Sequence, residues 1–246
     1  MLLSVQLYSV RDALDADLPG TIGRLAQLGL THVEPYNFVA LSDELATSFS
    51  DNGITAPTGH APLLSTNQED VFAAAERLGI HTVIDPYIPE EHWLDAGSIK
   101  DTARRLNDAA KLGAAHGIRV GYHNHWWELE HAVDGVPALE YFESLLDPEV
   151  VLEVDTYWAA VGGADVPGLL DRLGGRVVAI HIKDGPQNLD MKAQLPAGRG
   201  TVDVGGFLAA ATSAEVGVIE FDDYSGDIFE GIAESASALR TLRAWS

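Results

Sequence analysis

Residues 1–246 are predicted to form one α/β domain, a closed (β/α)8 TIM barrel, on three observations. Eight short apolar runs alternate with longer segments of helical period, several of those segments stop at a glycine just before the next run, and 246 residues is close to the usual length of such a barrel. An open doubly wound sheet is the competing fold. Eight units in this length favour closure, and the first loop has no GxGxxG to cradle a dinucleotide.

The first strand is read at SVQLYS (4–9), followed by a helix on which Leu18, Ile22 and Leu25 recur at helical spacing. THVEPY (31–36) and ITAPTGH (54–60) are the second and third strands, with Val71, Ala75 and Leu78 marking the helix after the third. HTVIDPY (81–87) is the fourth, and Ile99, Ala103, Leu106 and Ala110 lie on its helix. IRVGYHNH (118–125), VVLEVDT (150–156), VVAIHIKD (177–184) and VGVIEFDD (216–223) complete the set, before a last helix carrying Ile228, Ile232, Leu239 and Leu242. The glycines in QLGLTHV, DNGIT, RLGIHTV and AHGIRV are the expected left-handed stops.

Composition narrows the partners. Acidic residues outnumber basic ones 37 to 15, a net charge of -22, and no cluster of Lys and Arg interrupts that field. Such a field repels polyphosphates and anionic lipid, so nucleic acid and membrane surfaces are poor partners and a small neutral ligand fits better. The lack of cysteine removes disulfides and thiolate metal sites. With no basic, apolar leader at the N-terminus and no run long enough to span a bilayer, the chain reads as cytoplasmic, and it admits a homo-oligomer.

In barrels of this kind the chemistry lies at the C-terminal ends of the strands. Those positions hold Gln6, Tyr8, Glu34, His60, Asp85, His123, His125, Asp155, His181, Lys183, Glu220 and Asp222. Any one of them alone is most simply a loop residue meeting water, but a shared ligand explains the set. Side chains two apart share a face of a strand. If His181 faces the interior, so do Val177 and Ala179, while Glu220 lies above Val218, Asp155 above Glu153 and Val151, and His123 above Gly121. His123, Asp155, His181 and Glu220 can then converge, as a cage for a divalent cation or as a packed, hydrogen-bonded group. Two imidazoles and two carboxylates suit Mn2+ or Zn2+ ahead of Mg2+, with Co2+ also compatible.

Tyr8, Tyr36, Trp126, Trp127 and Trp158 are expected around the same mouth, where flat rings suit the C–H faces of a sugar or simply pack. Lys183 shares parity with His181 and either polarises a substrate group or pairs with Asp184 or Asp222. Lys192 and Arg199 lie in the Gly-containing loop MKAQLPAGRGTVDV, which is read either as a phosphate contact or as a mobile flap. The acidic chain favours an unphosphorylated sugar, keto-sugar or cyclitol.

Several motifs in order carry a family likeness: VQLYSVRD, VEPYNF, GHAPL, GYHNHWWELE, EVDTYW, HIKDG, AGRGTVD and IEFDD. Together they resemble the xylose isomerase-like (β/α)8-barrel superfamily, the sugar phosphate isomerases and epimerases, over nearly the whole chain. The resemblance implies metal dependence, with Glu, Asp, His and Glu ligands from the last four strands. Asp155, His181 and Glu220 match the last three. The first does not match, and either His123 takes its place, the favoured choice because the strand end directs it inward, or Glu128 folds back to supply a carboxylate. The resemblance also implies that Glu34 and His60 contact sugar hydroxyls, the other reading being hydrogen bonds within the loop network; Gln6 and Tyr8, at the end of the first strand, are expected to contact substrate as well. DNA-repair endonucleases share the superfamily, but the net charge argues against that branch.

The expected activity is a divalent-metal-dependent isomerase or epimerase of a sugar or keto-sugar, working by proton transfer through a metal-stabilised enediolate with Glu220 or His125 as base. A lyase of the same fold, inosose-dehydratase-like or cleaving a 3-keto-glycoside, is the alternative, and His123 in place of a glutamate gives it weight. A sugar-binding barrel without activity is the third reading.

Overall fold

In the computed structural model, residues 1–242 and 245 are described. Eight parallel strands form the barrel: β1 (Leu2–Gln6), β2 (His32–Glu34), β3 (Thr58–His60), β4 (Thr82–Asp85), β5 (Arg119–His123), β6 (Val151–Asp155), β7 (Val177–Ile182) and β8 (Val216–Ile219). Their order around the sheet is β2-β1-β8-β7-β6-β5-β4-β3. The seam between β2 and β3 is closed by single bridges, His32 with Thr55 below and Tyr36 with His60 above. The result is a nearly closed barrel ringed by helices.

All eight expected strands are present. The first begins and ends earlier than expected, because the Gln6 side chain accepts the Tyr8 amide at 3.1 Å and turns the chain into a 3-10 helix at Leu7–Val10. Four helices stop where the glycines stand: Gly29, Gly53, Gly79 and Gly117 have φ between 64° and 75°, a backbone region costly for residues with a Cβ. Between β5 and β6 a two-residue hairpin (Ala132–Val133 with Val136–Pro137) turns at Asp134 and Gly135, both at positive φ, as an Asp-Gly turn requires.

The strands divide two interiors. Facing the helices is a large apolar layer in which Trp93 meets Tyr122 at 5.2 Å and Phe142 at 5.1 Å between ring centroids. Inside the barrel, Ala179, Val216 and Val218 pack with Leu2 as a small apolar floor. Val177, expected inside, packs with the outer layer instead. The pairing of β6 with β7 shifts register between Leu152 and Glu153, and that irregularity breaks the simple alternation along β7 while setting Asp155 beside His181. No helix among the described residues is long and apolar enough to cross a membrane.

Candidate metal centre and active-site cavity

The motif YHNHWWELE distributes several tasks. His123 closes β5 facing the axis, and Asn124 pins β5 to β6, its Oδ1 accepting the Asp155 amide at 3.1 Å and its Nδ2 donating to the His125 carbonyl at 3.0 Å. Glu128, on the short helix Trp127–Glu130, accepts from the Tyr122 hydroxyl and from the His125 amide at 2.9 Å. It lies buried, away from the other candidate ligands. Asp155 ends β6 and caps the helix Thr156–Val161 by accepting the Trp158 amide at 2.9 Å, which seats the Trp158 ring against the cavity. After β7, Asp184 accepts the amides of Gly185, Gly198 and Val202 and folds the long loop back. At Gly200 a Cβ would fall 2.1 Å from Asp184 Oδ1, so that approach needs glycine.

Two layers of ionisable groups fill the upper barrel. In the rim layer, His123, Asp155, His181 and Glu220 each bring a ligand atom to within 4.8 Å of the others. His181 Nδ1 stands 2.7 Å from Glu220 Oε2, and His123 Nε2 stands 3.7 Å from Asp155 Oδ2. Lys183 reaches into this layer, its Nζ 2.7 Å from Asp155 Oδ2, 2.5 Å from Glu220 Oε2 and 2.7 Å from Asp222 Oδ2. Of its two expected partners, Asp222 is the one engaged. In the inner layer, Glu153 Oε2 lies 2.6 Å from His60 Nε2, 3.0 Å from His123 Nδ1 and 3.0 Å from His181 Nε2. Glu34 Oε1 accepts from Gln6 Nε2 at 2.8 Å and meets His181 Nε2 at 2.8 Å and His60 Nε2 at 3.1 Å.

Burial opposes every charge here and is overcome only beside an opposite charge. Burial alone would lower His60, but the Glu34 and Glu153 carboxylates carry it up to about 10. Against the same penalty, Glu153 and Glu220 raise His181, and Asp155, Asp222 and Glu220 raise Lys183. Glu220 is held well below the usual carboxylate range, since Lys183 and His181 outweigh its burial, and His60 and His181 do the same for Glu34. His123 moves the other way, lowered by burial and by the neighbouring His181 charge, which keeps it neutral.

Above these layers opens a cavity of about 450 Å3, lined by Tyr8, Tyr36, Asn37, His60, Pro86, Tyr87, His123, His125, Trp126, Trp127, Trp158, Met191, Glu220 and Asp222. Of the residues expected at the site, Tyr8, His60, His123, His125, Trp158 and Glu220 line it. Gln6, Glu34, Asp155, His181 and Lys183 are buried beneath. Arg199 lies outside the lining, on the loop after β7, and pairs with Glu234 of the last helix. His125 stacks on Trp127 at 4.3 Å, and its Nδ1 has no hydrogen-bond partner.

The donor set fits a divalent cation. Asp155 Oδ2 is buried with the Lys183 ammonium 2.7 Å away, and the group offers two imidazole nitrogens and two carboxylate oxygens within cage distance. Sequence reasoning gave no role to Glu153, Asn124, Gln194, Asn37, Tyr87 or Met191. Glu153 had a visible signal, a carboxylate two residues before Asp155 within an apolar strand. Gln194, which binds Asp222 through both ends of its amide at 2.7 and 2.8 Å, lies in a loop and had none.

The profile of a family described as xylose isomerase-like TIM barrel matches residues 22–244. An inosose dehydratase from Mesomycoplasma hyopneumoniae (strain 7448) is 31% identical over 100 residues, 40% of this chain and 32% of that protein. This chain thus matches only about a third of that relative's length. A sugar phosphate isomerase/epimerase from Parabacteroides distasonis superposes with a TM-score of 0.80 at 22% identity, covering 97% of this chain and 93% of the other. The IOLI protein, solved with a zinc atom, gives 0.76 at 16% identity over 98% of both chains. Fold and buried His/carboxylate cluster together support a metal-assisted enzymatic function.

Proposed function

The chain belongs to the xylose isomerase-like TIM barrel family, and from that premise we propose that it is a divalent-metal-dependent lyase removing water from an unphosphorylated keto-cyclitol or keto-sugar. The observation that carries this reading is the asymmetry of the cavity. Both carboxylates of the lining, Glu220 and Asp222, come from the residues just after β8, while the β5 side offers His123 and His125. An epimerase takes a proton from one face of a carbon and returns it to the other, which suits like groups on both sides. Elimination can run from one side, a single wall accepting the proton from carbon and returning one to a hydroxyl that departs on the same face. The local identity to inosose dehydratase favours the same side. The isomerase or epimerase expectation therefore has less support.

His123, Asp155, His181 and Glu220 would hold the cation. When bound it would stabilise the negative charge that develops on a substrate carbonyl oxygen as the adjacent carbon is deprotonated. His125, whose ring lines the cavity and whose buried Nδ1 lies 3.8 Å from the Glu128 carboxylate, accepts that proton. The C–O bond of the β-hydroxyl then breaks, its electron pair leaves with oxygen, and a proton returned from the same wall completes a water molecule. Lys183, buried among three carboxylates, balances charge beneath the site rather than shuttling protons. Trp126, Trp127, Trp158 and Tyr87 exclude water and offer flat faces to a ring. Among the described residues lining the cavity none is lysine or arginine, which supports a substrate without phosphate. Mixed nitrogen and oxygen ligands favour Mn2+ or Zn2+ over Mg2+.

The test is incubation of metal-analysed protein with inososes and 3-keto-sugars in D2O, followed by mass spectrometry and NMR. A product lighter by one water supports the lyase. Deuterium exchange without mass loss from elimination would return the epimerase reading to first place.

A further inference from the structure

The two ligand histidines are gripped from behind. His123 presents Nε2 to Asp155 in the rim layer and Nδ1 to Glu153 in the inner layer, at 3.0 Å. His181 presents Nδ1 to Glu220 in the rim and Nε2 to Glu153 and Glu34 inside, at 3.0 and 2.8 Å. The opposed nitrogens of both rings therefore face opposite layers, and one oxygen, Glu153 Oε2, stands behind both. Glu153 is also 2.6 Å from His60 and is 1% exposed. A carboxylate buried this deeply needs donors around it, and the three that reach Oε2 are all imidazoles, while Oε1 makes no hydrogen bond. A carboxylate accepts only, so each ring turns an N–H toward Glu153; His123 keeps its lone pair on Nε2, whereas His181 Nδ1 also meets the Glu220 carboxylate at 2.7 Å and gives up its proton there when a cation takes that place.

We propose that Glu153 is a positioning residue that fixes the tautomers of His123 and His181, so that the cation is held by His123 Nε2 and His181 Nδ1 on the rim side. The inference rests on the metal reading above and adds to it which nitrogens bind and which residue chooses them. His60, held by the same carboxylate, is outside this ligand set. The competing arrangement is an ion in the inner layer, since His60, His123, Glu153 and His181 also bring ligand atoms within 4.8 Å of one another. That would use the opposite nitrogens.

The experiment uses zinc as the probe, with calorimetric titration of wild type, Glu153→Gln, Glu153→Asp and His60→Ala, the wild-type titration repeated with manganese and cobalt, and thermal unfolding of each metal-free protein to confirm folding. Glu153→Gln, whose amide donates as well as accepts, is expected to weaken zinc about 10- to 100-fold, the usual effect of removing a carboxylate behind a ligand histidine. Glu153→Asp should recover part of that loss, and His60→Ala should still bind one zinc. Long-range 15N–1H NMR of the zinc-loaded wild type should show the remaining proton on His123 Nδ1 and on His181 Nε2, whatever the variants do. Zinc bound through His123 Nδ1 and His181 Nε2, or lost in His60→Ala, overturns the inference in favour of the inner cage. Unchanged affinity in folded Glu153→Gln overturns it while leaving the metal reading intact. A wild type that takes up no zinc, manganese or cobalt sinks the metal reading and this inference with it.

Discussion

The outer and inner faces of the same eight strands are built on opposite terms. Toward the helices, nearly every strand residue is apolar and joins one continuous layer that includes Trp93, Tyr122 and Phe142. Toward the axis, the apolar part is small, Ala179, Val216 and Val218 with Leu2, and Ile84 and Val151 beside Gly121, and the space above is given to Glu34, His60, His123, Glu153, Asp155, His181 and Lys183, all buried. The outer face supplies the hydrophobic stabilisation, at roughly 25 cal/mol per Å2 buried. The inner face spends part of it on desolvated charges that survive only in mutual contact. The difference teaches where to look for function in such a barrel: not at the largest core, but where burial and charge coincide.

Substitution on the outer side should give the largest loss of stability. Phe142→Ala removes a fully buried ring between Trp93 and Tyr122 and should cost about 3–5 kcal/mol in denaturant unfolding, with metal stoichiometry retained by the folded fraction. If metal binding vanished in the folded protein, the two faces would not be separable. The inner side should respond to ligand instead. Zinc or manganese at a hundred times its dissociation constant should stabilise the protein by about 2.7 kcal/mol, reversed by chelator, because binding is confined to the folded state. Asp155→Asn should lose most of that gain.

Asp85 breaks the contrast, a carboxylate on the helix-facing side of β4. It is 1% exposed, accepts the amides of Leu64 and Tyr87, and is raised to about 6 by burial despite those bonds. A carboxyl raised above its unfolded value keeps its proton longer in the folded state, so stability falls as pH rises from about 4 to about 6 and stays level above. Asp85→Asn should remove that slope, with the difference between the two proteins changing by about 2 kcal/mol between pH 4.5 and 7 in urea titrations. Parallel curves would mean that Asp85 titrates normally.

Much of this was legible from local signals. The glycine stops are a backbone rule, so Gly29, Gly53, Gly79 and Gly117 marked four helix ends correctly. Alternation along a strand is equally local, and it brought His123, Asp155, His181 and Glu220 to one place before any contact was known. It failed at Val177, where a register shift that depends on the partner strand resets the faces. It favoured His123 over Glu128 but held no sign of what turns Glu128 away, the Tyr122 hydroxyl and the His125 amide, made available only by the turn after β5.

Order along the chain determined which chemical groups stand at the strand ends and on which face, since caps and pleats act over a few residues. Closure of the barrel decided who meets whom. Glu34 and His60, from β2 and β3, reach His181 and Glu153 only across the axis, 147 and 93 residues away in the chain. Arg199 was drawn to Glu234 by the docking of the last helix. Contacts of that range follow from packing the helices around a closed ring, a property of the assembled chain that no short stretch of it encodes.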